Sequence, residues 1–199
     1  MKKTNIFGAA AATLVASAFM VACGPTLSQR IVGSYVYENT VEEPETENEF
    51  ATKQTKSEID TFGEDRSYSE DGSITKYYYI VIPEQDVDVT VKMEFVFHRT
   101  GTWSLGFEDG KEWLTITGKD ATWELGEYVC PREEIADYSW DLANSILEDL
   151  RKDDEENWGE ERNYVIASVD ENEFVYKAKK ETVTLKRIKE NQNTEEEKE

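Results

Sequence analysis

Between Val87 and Phe97 every second residue is apolar. Val87, Val89, Val91, Met93, Phe95 and Phe97 alternate with Asp88, Thr90, Lys92, Glu94 and Val96. Successive strand side chains point to opposite faces, so this pattern predicts a long strand with one buried face. His98-Arg99-Thr100-Gly101 reads as a turn into a second strand, where Trp103, Leu105 and Phe107 alternate with Thr102, Ser104 and Gly106. Asp109-Gly110 is a strong turn signal. Trp113–Thr117 and Ala121–Leu125 follow, divided by Gly118-Lys119-Asp120, which completes a four-strand meander. Upstream, Ile31–Glu38 and Ile74–Ile82 read as strands, the latter entered through Asp71-Gly72 and ended by Pro83, with a further strand within 57–68. Downstream, Tyr164–Val169, Phe174–Ala178 and Thr182–Ile188 give three short strands.

One segment has a different period. Pro131 stands where a helix would begin, and Ile135, Tyr138, Leu142, Ile146 and Leu150 recur at three- or four-residue spacing. Glu133 and Glu134 suit the positive end of the helix dipole, and Arg151 and Lys152 the negative end. The expectation is one amphipathic helix over about residues 132–151, covering a sheet face or an open barrel end. The strand count and the single helix predict a mainly β fold: an antiparallel up-and-down barrel of about eight strands with one inserted helix.

The ends of the chain carry other information. Lys2 and Lys3 precede an uncharged stretch from Ile6 to Ala22, too short and too alanine-rich for a good membrane span. That stretch ends in Met20-Val21-Ala22-Cys23, which resembles the lipobox of bacterial lipoproteins, with Met20 in the usual leucine position. The resemblance implies that residues 1–22 are a cleaved signal peptide and that Cys23 is acylated. Palmitate-type chains on Cys23 would hold the protein to a membrane without a spanning helix. Gly24 stands where an Asp commonly signals inner-membrane retention in such lipoproteins. The expected location is therefore the bacterial outer membrane, facing the periplasm. Residues 23–30 read as the lipidated Cys and a tether, residues 31–188 as the domain, and 189–199 as a disordered acidic tail. Residues 39–58, with Glu42, Glu43, Glu45, Glu47 and Glu49, read as a long acidic loop.

Charge and composition narrow the function. The chain has 199 residues and a net charge of −21, from 22 basic and 43 acidic side chains. Nucleic-acid affinity comes mostly from Lys and Arg on phosphates, so that class is excluded. Aromatic content of 12% is too high for a disordered acidic chain. With Cys23 acylated, Cys130 has no disulfide partner and reads as a small buried hydrophobe. His98 is the single histidine, falls on the polar face of its strand, and reads as a surface residue rather than a catalytic base. There is no Cys-X-X-Cys, no histidine pair and no calcium-loop motif, so no metal and no cofactor are expected. The acidic run Asp153–Glu156 reads as a solvated face. No nucleophile motif is present, and the expectation is not an enzyme.

Two short motifs bear on family. Gly33-Ser34-Tyr35 in the first strand and Arg187 in the last resemble the opening Gly-X-Trp and the late basic residue of lipocalins, Tyr35 standing where those proteins carry Trp. The resemblance to lipocalin-like (calycin-type) domains of bacterial lipoproteins implies a barrel closed by stacking of Arg187 on Tyr35. It also implies an interior cavity for a small apolar or amphipathic ligand. Met93, Phe95, Phe97, Trp103, Leu105 and Phe107 are the candidate lining, with a packed core as the other reading of the same stripe. The functional expectation is a lipid-anchored envelope binding module. The alternative is a solid-barrel interaction protein that docks a basic protein partner through the acidic loop and the helix.

Overall fold

The computed structural model describes residues 25–42, 51–82, 87–178 and 181–189. The expected signal peptide, Cys23 and nearly all of the expected C-terminal tail lie outside these residues. Eight antiparallel strands follow one another round a closed barrel: β1 (Gly33–Val41), β2 (Ala51–Phe62), β3 (Ser67–Ile82), β4 (Val87–Glu108), β5 (Lys111–Val129), β6 (Glu161–Val169), β7 (Glu173–Ala178) and β8 (Glu181–Arg187). A short helix α1 (Leu27–Ile31) precedes β1, and helix α2 (Ala136–Asn157), entered through a 3-10 turn at Glu133–Ile135, joins β5 to β6. Each strand pairs with its sequence neighbour. The seam is closed by β1 against β8, where Tyr35 pairs with Arg187 and Val36 with Lys186.

The wall is uneven in height. β4 runs for 22 residues, whereas β7 has 6 and β8 has 7. β6 pairs β5 only over Trp113–Thr117, so the rest of β5 rises past the barrel together with β3 and β4. The face of this extension is covered by α2, and the two enclose a core of Ile80, Val89, Val91, Met93, Phe95, Phe97, Trp123, Ile135, Ala143 and Leu147. A second core fills the opposite end of the barrel, where Tyr35, Phe62, Trp103, Phe174 and Leu185 pack beneath Ile31 of α1. Its rings meet edge-on or tilted, as aromatic quadrupoles favour.

Several expected turns are strand interiors. β4 passes straight through His98–Gly101 and β3 straight through Asp71-Gly72. A β-carbon at Gly72 would collide with the Ser57 carbonyl and the Phe97 ring, so glycine serves close packing there rather than reversal. β5 likewise continues through Gly118–Asp120. Thr100 faces Asp120 and Gly101 faces Gly118, leaving Lys119 as an extra residue. This bulge moves the inward set from Leu114 and Ile116 to Trp123, a change of phase that mimics the start of a new strand.

Other bounds differ from expectation too. The acidic loop at 39–58 is largely paired strand, with Asn39 opposite Lys56 and Val41 opposite Gln54; residues 43–50 lie outside the described set. The tether contains α1, whose Thr26 and Gln29 form a reciprocal capping box. α2 runs past Arg151 and Lys152 to Asn157, and its buried face is Ser139, Ala143, Leu147 and Asp154, while Tyr138 is exposed.

Candidate functional site

The inward positions of β2 are Lys56, Glu58, Asp60 and Phe62, and those at the start of β3 are Tyr68 and Glu70. Phe62 belongs to the apolar floor, and Tyr68 packs on it there while also facing the cavity above, as the rest do. The others line a cavity of about 130 Å³ inside the barrel, together with Arg99, Trp158, Arg162, Tyr164 and Tyr176. Arg99, Arg162 and Tyr164 also border a surface cleft of about 950 Å³, rimmed by Asp153 and Asn157 of α2 and by Glu160, Glu161 and Glu181. The cavity therefore lies directly behind the cleft, at the barrel end opposite α1.

The C-terminal turn of α2 reaches into this end. Asp154 accepts two hydrogen bonds from Arg99, from Nε at 2.8 Å and from Nη2 at 2.9 Å, and a third from Trp123 Nε1 at 2.6 Å. Trp158 donates its indole N–H to the Thr100 carbonyl at 2.9 Å and packs where Gly118 leaves room for it. Arg99 also donates to Glu70 at 3.0 Å, and Lys56 pairs with both Glu58 and Glu70. Asp60 accepts from the Tyr68 hydroxyl. The Arg162 guanidinium stacks over Trp158 at 4.1 Å.

Burial sets the protonation of these carboxyls. Burial first, then the neighbouring Glu70, raises Glu58 to about 8, with Lys56 pulling the other way. Asp60 is lifted to about 7 by burial and by Glu70, against the Tyr68 hydrogen bond and the attraction of Lys56 and Arg99. Burial also works against ionised Glu70, but the hydrogen bond from Glu58 and the cations Lys56 and Arg99 outweigh it and hold Glu70 below the usual carboxylate range. Glu58 and Glu70 thus share one proton near neutral pH, as two carboxyls in one buried site must. Burial pushes the Tyr68 and Tyr176 hydroxyls up as well, so both remain neutral donors.

The residues singled out from the sequence fall into three places. Met93, Phe95 and Phe97 are buried beneath α2, and Trp103 is buried in the barrel floor with Leu105 half-buried beside it. Phe107 is 75% exposed near the β4–β5 turn. The structure therefore does not bring these six side chains to one cavity wall. Arg187 Cζ lies 4.7 Å over the Tyr35 ring, and its Nη1 donates to the Val32 carbonyl at 2.8 Å. His98 is exposed and pairs with Asp71. Cys130 is half-buried, with Sγ 3.2 Å from the Arg132 carbonyl.

Asp154, read from the sequence as part of a solvated run, is buried. Lys56, Glu58, Asp60, Glu70, Arg99 and Arg162 carried no motif. Their one sequence signal is the period of two that Lys56, Glu58 and Asp60 share with Phe62. Among the described residues no group of three or more His, Cys, Asp or Glu side chains could hold a metal ion, and no helix is long and apolar enough to cross a membrane. Comparison with known proteins finds no matching family model and no similar curated protein.

Proposed function

We propose that this chain is a lipid-anchored binding module of the bacterial cell envelope, whose barrel takes a small ligand through the cleft beside the end of α2. The observation that carries the reading is the cavity behind the cleft, walled mostly by ionisable side chains, with Ile116 and Trp158 as its apolar members. Small-ligand sites are concave and use a few convergent polar groups to fix orientation. The apolar stripe expected to line such a site packs instead against α2 and the barrel floor. The ligand of this reading is accordingly polar. The lipobox resemblance at Met20–Cys23 and the lipocalin resemblance at Gly33–Tyr35 and Arg187 support the anchored location and the binding role.

Native mass spectrometry of protein extracted gently from the envelope tests the binding role. A reproducible excess mass, lost on denaturation, is expected; a bare mass overturns it. Labelling with radioactive palmitate tests the anchor, and is expected in the wild type and absent from Cys23→Ser.

A second reading, docking of a basic protein partner, draws on the exposed face of α2, where Asp137, Asp141, Glu148 and Glu155 are all solvent-facing. Such docking would weaken steeply with added salt.

A further inference from the structure

The cavity contains a specific imbalance. Of the cations that line it, Lys56 is paired with Glu58 and Glu70, and Arg99 with Glu70 and Asp154. Arg162 forms no ion pair among the described residues; it is stacked on Trp158. Of the carboxylates, Glu58, Glu70 and Asp154 each meet a cation. Asp60 meets none. It is 3% exposed, and its one hydrogen bond among the described residues is the one from Tyr68 to Oδ1. One buried carboxyl group and one guanidinium are therefore left over among the described residues.

Their placement gives the imbalance a direction. Asp60 is on β2 and Arg162 on β6, four strands apart either way round an eight-stranded barrel. They stand on opposite walls of one cavity. An eight-stranded barrel has an interior wide enough for packed side chains or one small ligand. A buried carboxyl group with no cation in contact is costly to ionise, and a charge-assisted hydrogen bond would offset that cost.

The geometry points to a small zwitterion as the ligand, with its ammonium group on Asp60 and its carboxylate on Arg162. This rests on the binding-module reading above and names its ligand class. Tyr176 on β7, opposite Ile166, and Tyr164 on β6 line the same cavity, their rings 4.9 Å apart. A simple amine would leave Arg162 unmatched and a simple carboxylate would leave Asp60 unmatched. Each would forfeit one charged contact, which is how a polar site rejects a truncated ligand.

The test is calorimetric titration of the full-length protein in detergent with glycine, β-alanine and γ-aminobutyrate, against butylamine and butyrate. At least one zwitterion is expected to bind tenfold or more tightly than either truncated probe. Asp60→Asn and Arg162→Gln are each expected to abolish that advantage. Equal binding of the truncated probes, unchanged selectivity in both variants, or no binding of any zwitterion overturns the inference. Circular dichroism confirms that the variants fold, and the probe series on the wild type decides the matter if either does not. If native mass spectrometry shows a bound mass that no zwitterion displaces, the inference fails and the binding-module reading stands. A bare mass with no probe binding removes both.

Discussion

Asp154 of α2 grips Arg99 of β4 through both carboxylate oxygens, at 2.8 and 2.9 Å, and so ties the helix to the barrel mouth. Removing one partner of a buried pair leaves the other charge uncompensated. Asp154→Ala is expected to destabilise the protein by about 3–5 kcal/mol in urea unfolding. Glu155→Ala, one residue on and exposed, is expected to change it by less than about 0.5 kcal/mol.

Gly118 sits against Trp158, so an added β-carbon would meet both the Trp158 carbonyl and its indole ring. Gly118→Ala is expected to cost about 1–3 kcal/mol, the range for overpacking. Because Trp158 would have to shift, its fluorescence emission should move to longer wavelength in the folded state. An unchanged melting temperature would show that the helix end is free to retreat.

Met93 and Phe107 lie on one strand and were read from sequence as one stripe, yet Met93 is fully buried and Phe107 is 75% exposed. Met93→Ala is expected to cost about 2–5 kcal/mol. Phe107→Ser should stay within about 0.5 kcal/mol. Chemical denaturation of the two variants checks both.

The buried carboxyls make stability depend on pH. Glu58 and Asp60 titrate near 8 and 7 when folded and near 4 when unfolded, so between these values the folded state holds more protons. Stability should therefore fall as pH rises from about 5 to 8. Each titrating group contributes a slope of about 1 kcal/mol per pH unit. Glu70, held low, acts in the opposite sense and only below the usual carboxylate range. Lys56, Arg99, Tyr68, Tyr164 and Tyr176, which also face the cavity, are all pushed up from their ordinary values and keep their charge state across this window. Urea midpoints at pH 5, 6, 7 and 8 should decline in the wild type and decline less steeply in Glu58→Gln, where the Asp60 contribution remains.

The barrel was legible in the sequence because alternation survives wherever one strand face is apolar, as from Val87 to Phe97. Strand ends were less legible. Gly72, Gly101 and Gly118 were read as reversals, yet glycine serves equally where another backbone or a ring comes close. The true bulge at Lys119 shifts the inward phase just as a new strand would. The cavity was not legible. Alternation identifies a buried face by its apolar members, and on β2 the inward members are Lys56, Glu58 and Asp60. Without knowledge that β3, β4 and β6 bring Glu70, Arg99 and Arg162 opposite them, those residues read as solvated charge. The helix α2 was found, but its buried face is Ser139, Ala143 and Leu147, one residue on from the expected Tyr138, Leu142 and Ile146, and Asp154 extends that face with a carboxylate that Arg99 and Trp123 explain.

The closing seam has a consequence for the order of assembly. Every other strand pair joins sequence neighbours, whereas β1 and β8 must meet across some 150 residues of chain, through two paired positions and the Arg187 cluster. Loop-closure entropy makes so distant a contact late to form. The seven pairings between sequence neighbours, six of them without an intervening helix, can accumulate first as an open, curling sheet. Arg187, reaching across to Tyr35 and to the carbonyls of Arg30 and Val32, then acts as the latch that turns the sheet into a vessel.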